Sequence, residues 1–371
     1  MTTPVSEETR MLRESAAAFC AAEFPVERVR QMADEPGGIT EAAAEALAAQ
    51  GWHGILVPES LGGLGLGLRE MGVVLEELGR ALVPGPFWSA ATLGVPAIAA
   101  SPDPSLRSEW LDAVATGARR VTAALQEDAS LPAPERLTTV AESAGPGRYR
   151  LRGAKRLVPD LVGADAVAVL ARGPDGPALF LVELSAAGVG TEENRTIDAG
   201  SRYGTLRLDG VEVADRDRLG DWSLVSRLLE CGNVGIAAQS VAGAQALFDQ
   251  VVGYARQRIQ FGVPIGTFQA VQHPLADLFG DIESARSAYL YGAWAADLRA
   301  PDAAQAVALA RLLGPGTYRK AATTSLQAHG GIAFTWEYDL HLHLKRALHF
   351  QWLLGGAGDY EDIIATRALD L

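Results

Sequence analysis

Cysteine is almost absent from this chain. Cys20 and Cys231 are the 2 thiols in 371 residues, and they match no metal-ligand spacing, so structural zinc is excluded and a reduced, cytoplasmic setting is expected. Lysine is nearly as scarce, with Lys155, Lys320 and Lys345 alone among a large majority of arginines. Positive charge as a whole is outnumbered, 32 Lys and Arg against 45 Asp and Glu for a net charge of -13. That balance argues against nucleic acid or an anionic membrane as the main partner. No run approaches the roughly 18 apolar residues of a membrane span. The opening decapeptide MTTPVSEETR, which carries acids and no apolar core, does not read as a signal peptide. Internal repeats and low-complexity tracts are also missing.

What is abundant is apolar surface, 48% of side chains, enough to bury a large core in two or three domains. Its periodicity changes twice. Up to residue 118 the pattern is helical: SEETRMLRESAAAFCAAEF opens on Ser6 followed by acids, and ITEAAAEALAAQGW offers Thr40 as N-cap and Gly51 as a stop. Residues 119–220 switch to short alternating or β-branched runs such as ADAVAVLAR and GTLRLDGVEVA, punctuated by GPGR and GPDGP. From 221 to 371 long helices return, beginning with SLVSRLLECGNVGIAAQSVAGAQALFDQVVGYARQRIQFG, which holds no proline. The expected architecture is α+β in three parts: helical over 1–118, β over 119–220, helical over 221–371.

Three stretches, VPESLGGLGLGLREMGVVLEELGRAL (57–82), ARQRIQFGVPIGTFQAVQHPLADL (255–278) and QAHGGIAFTWEYDLHLHLKRA (327–347), closely resemble the acyl-CoA dehydrogenase family. The α-β-α order matches that family along the whole chain. The resemblance implies an N-terminal helical domain, a middle β-barrel-like domain and a C-terminal four-helix bundle through which subunits assemble. It also implies FAD at a subunit interface and desaturation of an acyl-CoA between its α and β carbons. A glutamate takes the α-proton, the flavin takes the β-hydride, and electron-transfer flavoprotein or a similar acceptor reoxidises it.

Carried over one position at a time, Arg258 resembles the family arginine that reaches a neighbouring subunit's FAD pyrophosphate, a bidentate task suited to guanidinium. Phe261 resembles the aromatic beside that FAD. Gln269, and Gln327 with Gly330 and Gly331, resemble the part holding the ribose and adenine end, where glycine lets backbone approach a ligand. Together they would form the half of a flavin site that one subunit lends to another. Singly, each has a plainer reading: an arginine at a helix C-terminus as a macrodipole partner, a glycine pair as a turn.

Other family positions are altered. The Thr-Glu-Pro stretch ending Gly-Ser-Asp is replaced by ALQEDASLPAP, and the Trp-x-Thr that meets the isoalloxazine by Leu157 and Pro159 in AKRLVPDL. Of the two places where the family keeps its glutamate, one holds Leu354, followed by Gly355 and Gly356, and the other holds Gly232. Glu230 is two residues from the second, a helical rotation of roughly 200° that turns it away. Asp359 and Glu361 could serve as a relocated base, or, with Asp362, as acids favouring the N-terminus of a last helix. His341 and His343 point apart on one helix, with His349 nearby, so no metal site is expected. Cys231 reads as packing.

The expectation is a subunit of a heteromeric (α₂β₂) acyl-CoA dehydrogenase that has no base of its own and shares FAD with a homologous partner, with a steroid side-chain CoA as the substrate by analogy. The alternatives are a self-contained homo-oligomeric flavoenzyme with a relocated base, an oxygen-using enzyme of the same fold, and a flavin-free scaffold.

Overall fold

The computed structural model describes residues 6–33, 35 and 38–369. Ser6 caps α1 (Glu7–Glu23), its hydroxyl accepting from the Thr9 amide at 3.1 Å. After Pro25 comes α2 (Val26–Met32), and Thr40 caps α3 (Glu41–Ala48) through the Ala43 amide at 3.3 Å. The next helix, α4 (Leu68–Arg80), buries Glu76 and Glu77, which both pair with Arg13 of α1, at 2.5 and 3.1 Å. Pairing is what makes two buried carboxylates tolerable on an otherwise apolar face. A π-helical stretch, Ala90–Gly94, joins α5 (Phe87–Ser89) to α6 (Val95–Ala99), and α7 (Pro104–Ala115) is capped by Asp103.

Eight strands then form one sheet: β1 (Val121–Ala124), β2 (Val140–Ser143), β3 (Arg148–Pro159), β4 (Ala166–Gly173), β5 (Gly176–Glu183), β6 (Val189–Asn194), β7 (Tyr203–Ala214) and β8 (Arg218–Asp221). Their order is β6-β7-β3-β2-β4-β5-β8, with β1 parallel beside β4. The outermost members of that order, β6 and β8, do not pair, so the barrel-like sheet stays open. ADAVAVLAR lacks alternation because β4 is buried on both faces. One irregularity matters below: the β3–β7 register slips between Lys155 and Val158, leaving Leu157 at φ 51°.

The C-terminal part consists of α8 (Trp222–Gln257), α9 (Gln269–Asp297), α10 (Ala303–His329), α11 (Leu340–Phe350) and α12 (Ala357–Ala368). Asp221 caps α8 through the Ser223 amide at 2.9 Å, and α8 is buried almost without break from Cys231 to Ala244 between α4, α9 and α10. Pro274 and Pro315 lie inside α9 and α10, so tertiary packing there overrides the local cost of proline. A small hairpin, β9 (Ile259–Gln260) and β10 (Val263–Pro264), links α8 to α9. No helix among the described residues is long and apolar enough to cross a membrane.

Candidate functional site

The two positions that the resemblance assigns to a base meet in space. A Cβ on Gly232 would stand 2.7 Å from Leu354 Cδ1 and 3.1 Å from Leu93 Cδ2, so leucine packs onto α8 where glycine leaves room. Trp88 covers the same stretch, its Nε1 donating to the Gly232 carbonyl at 3.1 Å, and a Cβ on Gly235 would come within 2.8 Å of the indole. Leu354, Leu93 and Trp88 are all buried. Glu230 faces elsewhere: it bonds Arg227 at 3.2 Å, whose guanidinium also donates to the Ala296 carbonyl at 2.9 Å. The side chain points toward the end of α9, as a two-residue step along a helix requires.

The turn at Leu354 is held from several sides. Its φ of 57° is unfavourable for leucine by about 1–3 kcal/mol and persists only where surroundings enforce it. Arg311 Nη2 donates to the Leu353 and Gly355 carbonyls at 2.7 and 3.0 Å, and Gln126 Oε1 accepts from the Leu354 amide at 3.1 Å. The Tyr360 hydroxyl lies 2.5 Å from the Leu354 carbonyl and 3.0 Å from Asn233 Oδ1. Arg311 is fully buried and stacks over the Tyr360 ring at 5.0 Å; burial lowers its pKa against the pull of Tyr360. Asp359 accepts from the Gly356 and Leu131 amides at 2.9 and 3.1 Å, so this candidate acid starts α12 and ties it to the loop after β1. Glu361 is exposed on α12.

Leu157 and Pro159 lie where the sheet meets the helices. Leu157 occupies the bulge in β3, and Pro159 pairs with Tyr203. Beside them Asp160 accepts from Ser89 Oγ at 2.5 Å; burial pushes its carboxyl up to about 6, against the opposing pull of Ser89, Arg346 and Arg202. Arg346 and Asp198 form a buried ion pair, and Tyr203 shares a 2.8 Å hydrogen bond with His349, whose pKa burial holds at about 4. Asp160, Arg202, Tyr203 and Arg346 line a cavity of about 30 Å³, room for about one water. His343 bonds the Tyr318 hydroxyl at 2.7 Å and His341 stacks on Trp336 at 4.6 Å, so the three histidines face three different partners. No cluster among the described residues is arranged to hold a metal ion.

The other sequence-derived residues lie at the far end of α8, in the open. Arg258 is the exposed C-cap of that helix. Phe261 and Gly262, at φ 52° and 83°, make the two-residue turn of the β9–β10 hairpin, and the Phe261 ring is 92% exposed. Phe261 and Gln327 line one cavity of about 510 Å³ with Phe268, Val271, Pro274 and Thr324. Gln269 opens α9 at its edge and is exposed. Gly330 (φ 69°) and Gly331 end α10, and a Cβ on either would meet nothing within 4 Å. Of the six sequence-derived residues, Phe261 and Gln327 line the cavity, while Arg258, Gln269, Gly330 and Gly331 lie outside its lining; a guanidinium, an aromatic ring, amides and bare backbone are groups that can take phosphate and adenine.

Trp88, Arg311, Arg346 and Tyr360 escaped the sequence reading. The one available signal was Gly232 and Gly235, spaced to expose a strip of α8 backbone to a large ring.

Comparison with known proteins completes the picture. The chain matches the acyl-CoA dehydrogenase N-terminal domain over residues 6–118 and the C-terminal domain over residues 222–369. It is 31% identical to acyl-CoA dehydrogenase IpdE2 of Mycobacterium tuberculosis, over 94% of this chain and 92% of that protein. Among solved structures it is similar to a chain of the ChsE4-ChsE5 complex from Mycobacterium tuberculosis, with TM-score 0.92 and 28% identity over 100% of both chains. It is also similar to a chain of a variant of the Tcur3481-Tcur3483 steroid ACAD, with TM-score 0.89 and 31% identity over 98% of both. The chain belongs to the acyl-CoA dehydrogenase family.

Proposed function

We propose that this chain is the base-less subunit of a heteromeric FAD-dependent acyl-CoA dehydrogenase, lending half of a flavin site to a homologous partner that owns the catalytic glutamate. The observation that carries this reading is the seating of Leu354 on Gly232: both family base positions are apolar, and each fills the other's space. A leucine cannot take a proton, and the positions where the family keeps its Trp-x-Thr against the flavin ring hold Leu157 and Pro159, with neither the aromatic face nor the hydroxyl.

When bound in the partner, FAD supplies the hydride acceptor for α,β-desaturation of an acyl-CoA. This chain's part is to hold and orient. Arg258 would clamp the pyrophosphate, Phe261 would flank the cofactor, and Gln269, Gln327 and the backbone at Gly330 and Gly331 would hold its ribose and adenine end. The substrate class we assign is a steroid side-chain CoA thioester, extended from the solved relative described as a steroid ACAD. The acceptor we assign is an electron-transfer flavoprotein or a similar carrier, and the compartment the cytoplasm.

Purification alone and with the homologous subunit, followed by a flavin-to-protein ratio, tests this directly. The expected results are a colourless single chain and one FAD per pair of chains in the mixed complex. A yellow homo-oligomer that oxidises acyl-CoA unaided overturns the proposal.

A further inference from the structure

Among the described residues, hydrogen bonds from one side chain tie the segment that carries Gly330 and Gly331 to the N-terminal helices. Arg30, on α2, donates from Nε and Nη2 to Asp339 Oδ1 at 2.8 and 2.6 Å, and from Nη1 to the Trp336 carbonyl at 2.7 Å. The partners are more than 300 residues away in sequence, at separations of 309 and 306. Within the segment's own neighbourhood, His341 Nε2 lies 3.3 Å from the same Trp336 carbonyl, and Tyr338 packs against the His329 ring at 5.2 Å and the core beneath it. Between the end of α10 at His329 and the start of α11 at Leu340 there is one 3-10 stretch, Gly330–Phe334, in which Ala333 alone is buried. The two glycines add no side-chain contacts. Trp336 is exposed, with its ring between His341, stacked at 4.6 Å, and Lys345, whose Nζ lies 4.7 Å away. Its ring therefore packs on α11, while its carbonyl is shared between Arg30 of α2 and His341 of α11.

A guanidinium fork that spends one edge on a carboxylate and another N–H on a carbonyl fixes direction as well as distance, which a point charge does not. Arg30 and Asp339 are also partly shielded, with side-chain exposures of 23% and 33%, so water screens the pair less than an open surface bridge.

We propose that Arg30 is a positioning residue for the lent flavin site. Acting through Asp339 and the Trp336 carbonyl, it holds residues 330–336 in the orientation in which the backbone at Gly330 and Gly331 faces the partner's FAD beside Gln327. The inference rests on the lending role proposed above and extends it, because it makes the N-terminal helices contributors to cofactor affinity on another subunit.

The test uses the complex purified with its FAD-bearing homologous subunit, with FAD affinity, amide exchange of residues 330–336 and the unfolding midpoint as readouts. Arg30→Met is expected to weaken FAD binding about tenfold, the equivalent of losing one charge-assisted contact, and to speed exchange in the segment while the midpoint hardly moves. Arg30→Lys, which keeps the charge but not the fork, is expected to fall between. Asp339→Asn should repeat Arg30→Met, and the double variant should do no more than either alone. Unchanged FAD affinity in the Arg30→Met complex, with Gln327→Ala weakening it, overturns the positioning role. A lowered midpoint with unchanged affinity overturns it too, since Arg30 is then only a structural tie. Unchanged affinity with Gln327→Ala overturns the lending role itself.

Discussion

Helix α8 joins two regions of opposite character. Gly232 near one end and Arg258 at the other are separated by about 39 Å at 1.5 Å per residue. Around Gly232 every space is filled: Leu354, Leu93 and Trp88 close over it, and the nearby polar groups bond one another. Around Arg258 the groups stand in water, and Phe261 holds an exposed ring on left-handed backbone. Filling an interior stabilises a fold by roughly 25 cal/mol per Å² of apolar surface buried. An exposed phenylalanine on strained backbone, whose ring meets only Phe268 edge-on at 6.1 Å among the described aromatic rings, returns little to the isolated chain. The filled interior and the exposed apolar ring are thus separate observations, and under the proposed function the second is the face a partner covers.

The largest effect is expected from trying to make the closed end resemble a base site. Leu354→Glu places a carboxylate where the leucine is 1% exposed, among apolar side chains that cannot hydrogen-bond it. Stability in urea should fall by about 3–5 kcal/mol, as for an uncompensated buried charge. Burial raises the pKa of the new acid, so its cost is smallest in acid, where it enters the core protonated, and grows as the pH rises through that raised value. Turnover per FAD in the mixed complex should not rise. A stable variant with added activity would break the contrast, because the interior would then be open to substrate.

Arg258→Ala probes the open end. Loss of a charge-assisted clamp on pyrophosphate should weaken FAD retention in the mixed complex by about 1.5–3 kcal/mol, read as roughly a 10- to 100-fold rise in its dissociation constant. The chain's own stability should not change, since the side chain is exposed at a helix end. Equal flavin retention with and without Arg258 would reduce this face to a solvated surface.

These two ends also differ in how legible they were. The open face could be named from sequence because its motifs are local: QFG and QAHGG lie on exposed turns and helix ends whose geometry their own glycines set, and FQAVQH opens α9. Helix starts at Ser6 and Thr40 were readable for the same reason, since a hydroxyl caps a backbone only a few residues away. At the closed interior the sequence offered only the apolar identities of Gly232 and Leu354. What packs around them was not legible, because Trp88 reaches α8 from α5, Arg311 reaches its turn from α10, and Asp160 is met by Ser89 from 71 residues away. Such contacts are set by tertiary packing and leave no local period. Pro274 and Pro315 show the same limit, since neither ends its helix.

A smaller effect, with opposite signs in two assays, is expected at Phe261. Its φ of 52° favours glycine, so Phe261→Gly should raise the stability of the isolated chain by up to about 1 kcal/mol, less whatever glycine returns to the unfolded chain in entropy. The same change removes a ring that would cover the partner's cofactor, so the mixed complex should hold FAD less tightly, by about 1 kcal/mol. A loss of stability in both assays would mean the ring packs within its own chain more than its exposure indicates.

The smallest effect belongs to Glu230, which is the sharpest check on the geometry of α8. It is the carboxylate on that helix nearest in sequence to the closed site, yet it pairs with Arg227 at 3.2 Å while Gly232 faces Leu354. An i,i+3 pair of this kind contributes about 0.2–0.5 kcal/mol. Glu230→Gln should therefore shift stability by no more than that and leave turnover of the mixed complex unchanged at every pH. If turnover instead collapsed, Glu230 would be reaching substrate, the helical rotation that separates it from Gly232 would not hold in the working complex, and the closed end of α8 would have to open during catalysis.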